Sequence, residues 1–147
     1  MTINDIQDRI IEEFSLFDDW MDKYNHLIEM GKTLPETDDK FRHKDYLIEG
    51  CQSKVWLRPE LMDGKIIFTA DSDAIITKGI IALLVSVLSG RLPQEIIETD
   101  LYFIEKIGLR QNLSPTRSNG LLSMVKQMKL YAIAWDAKLK SEQYGKQ

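Results

Sequence analysis

The chain has 147 residues, 44% of them hydrophobic and 29% charged, with a formal charge of -4. That length suits one domain, here taken as residues 1–147, with enough chain to bury a substantial core, and the composition excludes a disordered chain. An acidic balance with pI near 5.2 leaves no electrostatic footprint for nucleic acid.

Ile3, Ile6, Ile10, Phe14 and Phe17 recur at helical spacing, and Thr2 with Asp5 reads as an N-terminal capping pair. Trp20, Tyr24, Leu27 and Ile28 form a second stripe, which Gly31 and Pro35 close, so the two helices are expected to form a hairpin. The polar stretch Glu36 to Lys44 has no periodicity and reads as a loop. Tyr46-Leu47-Ile48 and Val55-Trp56-Leu57 read as short extended segments, the latter stopping near Pro59. Asp63-Gly64 is a hairpin turn into the strand Lys65 to Ala70. Asp71-Ser72-Asp73 reads as the cap of a helix carrying Ile76, Ile80, Leu83, Leu84 and Val87 and closed by Gly90.

The apolar stretch from Ile75 to Leu88 is interrupted by Lys78 and is shorter than the roughly 20 residues that cross a bilayer, so no membrane partner is expected. Pro93 opens a short helix, Gln94 to Glu98, and a second is expected around Leu101 to Ile107. Ser114 as cap and Pro115 at the first helical position open a long last helix. Leu121, Val125, Met128, Ala132, Trp135 and Leu139 hold one of its faces, and the polar tail 141–147 is expected to fray. Helices outnumber strands and do not alternate with them, which predicts an α+β fold with a small antiparallel β-sheet packed against several α-helices.

Cys51 is the only cysteine and sits among Gly50, Gln52 and Ser53, between the two extended segments. By residue type a free cysteine is most often a small core hydrophobe. Its place at a connection, beside a glycine that permits unusual backbone angles, points instead to exposed sulfur chemistry. One cysteine forms no internal disulfide, and the N-terminus has no secretory pattern, so a reducing cytoplasm is the natural setting.

His26 and His43 lie far apart, and with one thiol they assemble no familiar metal site, so no metal is expected. A dyad of Cys51 with His43 is conceivable but has no third member. Lys54 could favour a Cys51 thiolate, although a solvated lysine is its ordinary role. Arg117 falls near the positive end of the last helix, where a cation is misplaced unless it faces an anion. A structural salt bridge is the ordinary explanation, and holding a thiolate or persulfide is the functional one.

The run Ile48-Glu49-Gly50-Cys51-Gln52-Ser53-Lys54-Val55-Trp56 resembles the cysteine loop of the SufE family. Gly31-Lys32-Thr33-Leu34-Pro35, Asp71-Ser72-Asp73-Ala74, Lys78-Gly79 and Leu113-Ser114-Pro115-Thr116-Arg117-Ser118-Asn119-Gly120 fall in the same order, from about Ile3 to Leu139. The resemblance implies the fold shared with U-type iron-sulfur scaffolds and a sulfur acceptor that is not itself an enzyme. Cys51 would take persulfide sulfur from a SufS-type cysteine desulfurase, stimulate that enzyme and pass sulfur to a cluster-assembly scaffold. Pyridoxal phosphate would belong to the desulfurase, leaving this chain without a cofactor. Gly50, Gln52, Asp73 and Arg117 are the auxiliary site residues, with Asp73 and Lys78 serving mainly the fold. A CsdA-type desulfurase as partner, a Cys51-dependent thiol enzyme and a noncatalytic adaptor remain as alternatives.

Overall fold

The computed structural model describes residues 1–145. Two helices, α1 (Ile3–Ser15) and α2 (Trp20–Gly31), open the chain. Asp5 N–H donates to Thr2 Oγ1 at 3.0 Å and Thr2 N–H to Asp5 Oδ2 at 2.9 Å, the capping pair expected of the sequence. Asp19 caps α2 by accepting from Asp22 N–H. Where the two helices meet, His26 packs against the rings of Phe14 and Phe17.

Strands β1 (Val55–Met62) and β2 (Lys65–Ser72) form one antiparallel pair. Asp63 and Gly64 both have positive φ, as a two-residue turn matched to strand twist requires. β1 runs through Pro59, where the sequence suggested a stop. A two-stranded sheet leaves every strand an open edge, and a residue without an N–H is tolerated there. The expected strand at Tyr46 to Ile48 shrinks to a single bridge between Leu47 and Trp56, because Lys44–Tyr46 forms a 3-10 turn.

Helix α3 (Ile75–Leu88) crosses between the sheet and α2, and Ile80, Ile81, Leu83, Leu84, Val87 and Leu88 are buried along it. A helix apolar on nearly all sides belongs at the centre of a domain. Gly90, at φ 80°, turns the chain so that its N–H donates to Ile66 O at 2.7 Å and ties the end of α3 to β2. Helices α4 (Pro93–Glu98) and α5 (Phe103–Lys106) follow, the latter shorter than expected. Helix α6 (Pro115–Gly145) then buries Leu121, Met124, Met128 and Ala132. It continues into the tail expected to fray, with Lys140 Nζ 2.9 Å from Asp136; residues 146 and 147 lie outside the described residues. Among the described residues no helix is long and apolar enough to cross a membrane.

The Asp71-Ser72-Asp73 run does not cap α3 as the sequence suggested. Asp71 and Ser72 end β2, and the N-cap residue, Ala74, makes no side-chain cap bond. Asp71 is instead the hub of an ion network. Its Oδ2 accepts from Arg42 Nε at 2.9 Å, and its Oδ1 lies 3.2 Å from Lys78 Nζ. Burial opposes ionisation of Asp71, but Arg42, the Ser72 N–H and Lys78 outweigh it and hold the carboxyl below its usual range.

Two consequences follow for stability. A Cβ on Gly79 would overlap the Leu27 carbonyl of α2, so Gly79→Ala should lower stability by about 3 kcal/mol in a urea melt. Asp71→Asn should cost about 1–2 kcal/mol at pH 7, reduced from a fully buried pair because Arg42 and Lys78 are partly solvated. Since the folded pKa of Asp71 is depressed, its contribution is present above the ordinary carboxylate range and lost as pH falls through the folded value. The deficit of Asp71→Asn should therefore shrink progressively as melts are taken below the ordinary carboxylate range; a deficit that stays unchanged down to the acid limit of folding would assign it to something other than charge.

Candidate functional site

The chain arrives at Cys51 pinched on both sides. Ile48 N–H donates to Val55 O at 2.9 Å, and the Leu47–Trp56 bridge extends that pinch. From the β2–α3 junction, Asp73 Oδ1 accepts from Lys54 N–H at 3.0 Å, and Lys54 O accepts from Ser72 Oγ at 2.8 Å and from Asp73 N–H at 3.2 Å. Residues 49–53 are left as the tip. Gly50 adopts φ 91°, a left-handed conformation that calls for glycine, and a Cβ there would also force the Ser123 hydroxyl of α6 to move.

That contact lays Cys51 against α6. Its thiol points at Gly120 O, with Sγ and O 3.6 Å apart. Gly120 offers no side chain to cover the sulfur, and a Cβ there would sit 3.5 Å from Sγ. The thiol is half-buried, and burial pushes its pKa up, which leaves it protonated near neutral pH.

Cys51 opens on a cavity of about 430 Å³. Gln52 and Ser53 line it from the loop, Thr77 and Ile80 from α3. Ser114, Thr116, Arg117, Gly120 and Met124 close it along the start of α6. Ser114 Oγ accepts from Arg117 N–H at 3.3 Å, so the expected cap is present. The Arg117 side chain is exposed at the cavity wall and, among the described residues, pairs with no carboxylate. Among the described residues, the structural salt bridge that would ordinarily explain a cation at this helix end is therefore not formed.

Of the candidates from sequence, the fold gathers Cys51, Gln52 and Arg117 around one cavity, with Gly50 and Asp73 shaping the loop behind it. His43 is not among the residues lining it. Its Nδ1 accepts from Asp45 N–H at 3.2 Å, while the hydrogen-bond contact of the Cys51 thiol is Gly120 O, so the two do not form a Cys51–His43 dyad in this structure. Lys54 is exposed and serves through its backbone; it is not among the causes that shift the Cys51 pKa. Among the described residues no group of three or more His, Cys, Asp or Glu side chains could hold a metal ion. Sequence reasoning missed Thr77, Ile80, Met124 and Ser123, whose helical spacing signals only packing. Gly120 was quoted within a motif but not read as the neighbour of the thiol.

If burial sets the chemistry of Cys51, iodoacetamide should alkylate the folded protein with an apparent pKa above that of the urea-unfolded chain. A folded value equal to or below the unfolded one would show that the thiol is not desolvated.

A model of the SufE family, described as the Fe-S metabolism associated domain, matches residues 8–132. An uncharacterized SufE-like protein of Rhizobium meliloti is 39% identical over 127 residues, covering 83% of this chain and 91% of that protein. A second, from Rhizobium etli, is 42% identical over 127 residues, covering 83% and 86%. The Arabidopsis thaliana protein named SufE-like protein 1, chloroplastic/mitochondrial, is 42% identical over 117 residues, 79% of this chain but only 32% of its own length. The solution structure of a hypothetical protein from Thermus thermophilus superposes with a TM-score of 0.74 at 18% identity, over 90% of this chain and 96% of that one, which shows a shared fold. The chain belongs to the SufE family, and its role lies in iron-sulfur metabolism.

Proposed function

We propose that this SufE-family chain is a sulfur carrier: Cys51 accepts sulfane sulfur from the persulfide of a SufS-type cysteine desulfurase, stimulates that enzyme by clearing its thiol, and delivers the sulfur to an iron-sulfur assembly scaffold. The observation that carries this reading is a lone thiol at the tip of a pinned loop, half-sheltered beside a cavity with a cation in its wall. The Cys51 thiolate attacks the terminal sulfur of the donor. The S–S bond of the donor breaks, its electron pair leaves on the desulfurase thiolate, and a new S–S bond forms on Cys51 with no net oxidation. Pyridoxal phosphate, which belongs to the desulfurase, supplies the carbon-sulfur cleavage, and nothing in the transfer step asks for a cofactor on this chain.

The pinched loop suits a thiol that must be both carried and surrendered. Its two ends are held by backbone hydrogen bonds at Ile48 and Lys54, so the tip can move against α6 without unpairing β1 from β2. Leaving its shelter lowers the Cys51 pKa toward the ordinary value and exposes the sulfur in the same motion. A persulfide returned to the shelter is protected from competing thiols. We place the protein, as one domain, in the cytoplasm, the reducing setting that suits a free thiol. A CsdA-type desulfurase would meet the same chemical requirements as donor.

Incubation with a SufS-type desulfurase, pyridoxal phosphate and cysteine should add about one sulfur atom to the intact mass of the wild type, removable by reductant, and none to Cys51→Ser. Absence of the adduct, with the desulfurase turning over on its own, would reject the sulfur-carrier role.

A further inference from the structure

The cavity beside Cys51 is far larger than a persulfide needs. One water occupies about 30 Å³ of liquid volume, and one added sulfur is of similar scale, whereas the cavity holds about 430 Å³. Its lining is also not that of a mere shelter. A sheath for a weakly polar sulfur would be apolar, yet the walls carry the Ser53, Thr77, Ser114 and Thr116 hydroxyls and the Gln52 amide. Arg117 adds a full positive charge that no described carboxylate answers, at the end of a long helix whose dipole is also positive. A guanidinium and a thiol lining one space of small-molecule size fit a carboxylate attached to sulfur.

We propose that this cavity binds low-molecular-weight persulfides bearing a carboxylate, with the carboxylate on Arg117 and the sulfur end at Cys51, so that Cys51 is also loaded without the desulfurase. The inference rests on the reading of Cys51 as a sulfur-accepting thiol and adds a second class of donor. Cys51 first gives its proton to solvent. Its thiolate then attacks the terminal sulfur of R–S–SH, the S–S bond of the donor breaks, and RS⁻ leaves with the electron pair and takes up a proton. Cys51–S–SH and RSH are the products, and the sulfane sulfur changes hands without external oxidant or reductant. The Arg117 guanidinium takes no part in bond making. It holds the donor so that the encounter becomes effectively intramolecular.

A matched pair of donors isolates the carboxylate: the persulfide of 3-mercaptopropionate and that of 2-mercaptoethanol differ in carboxylate against hydroxyl on the same carbon chain. The rate of sulfur addition to the full-length protein is followed by intact mass, and the ratio of the two rates is compared with that of a short cysteine peptide. The wild type should favour the carboxylate donor over the peptide's ratio by about ten-fold. Arg117→Ala should bring the ratio down to the peptide's, and Arg117→Lys should restore part of it. Because Arg117 is exposed, both variants are expected to fold, which a melt confirms. A wild-type ratio equal to the peptide's, or a preference that survives Arg117→Ala, would overturn the proposal. Loading by the desulfurase, assayed on the same preparation, separates the two readings. If the desulfurase loads Cys51 while the ratio is flat, only the small-molecule site fails; if the ratio is selective while the desulfurase loads nothing, it is the desulfurase partnership that fails.

Discussion

The near-contact of backbones at Gly79 and Gly31 sets the position of everything else. A Cβ on Gly79 would run into the Leu27 carbonyl, and one on Gly31 would lie 3.0 Å from Gly79 N, so α2 and α3 cross with no side chain between them. This close approach lets α3 lie at the centre of so short a chain, with α2 on one side and β2 on the other. Thr77 and Ile80 of α3 then reach the cavity wall, and the β2–α3 junction brings Asp73 within hydrogen-bond distance of the Cys51 loop. Backing α3 away by one methyl group would shift the latch and the wall together.

Around that crossing, charge serves position more than binding. Asp71 is nearly buried and would be costly alone; Arg42 from the preceding loop and Lys78 from α3 neutralise it. The pair of contacts ties two separate stretches of chain to the end of β2, and the next residues, Ser72 and Asp73, clamp Lys54. An ionic hub thus lies one residue from the loop's anchor. Arg117 is the contrast, a cation left unanswered where the fold gives it neither a described carboxylate nor a helix C-terminus.

Helices, the β-hairpin and the α+β class were legible because each rests on local information: spacing along one face, a capping box, an Asp-Gly turn. Cys51 was legible as a candidate site for the same reason, since its neighbours on either side are turn-forming residues and its run resembles a family motif. What local reading could not supply were partners brought from afar. Asp71-Ser72-Asp73 has the chemistry of a cap, and nothing in its neighbourhood announces Arg42 as a competitor. Pro59 ordinarily ends a strand, and only the lack of a third strand among the described residues makes it harmless in β1. A salt bridge for Arg117 was the ordinary expectation, and its failure depends on which carboxylates the fold delivers to that end of α6. Ser123, beneath Gly50, looks like any polar residue of a helix.

The raised pKa of Cys51 invites the view that the protein guards its thiol by keeping it protonated, but exchange kinetics assign that a lesser share. At a pH below the pKa, each unit of increase removes about nine-tenths of the thiolate, yet the remaining thiolate becomes more nucleophilic with a Brønsted coefficient of about 0.4–0.5, so the rate falls only roughly three-fold. Burial of the sulfur against Gly120 acts on a different quantity, the approach of a donor carried on another protein, which unlike a small molecule does not enter the cavity, and a restricted approach has no compensating term. Access is therefore the stronger gate. The fold accordingly places its control in the loop: pinned ends, a glycine packed against Ser123, and a thiol that contacts Gly120 O of α6 at 3.6 Å. A partner that competed for that contact would free both the sulfur and, as a lesser effect, its proton.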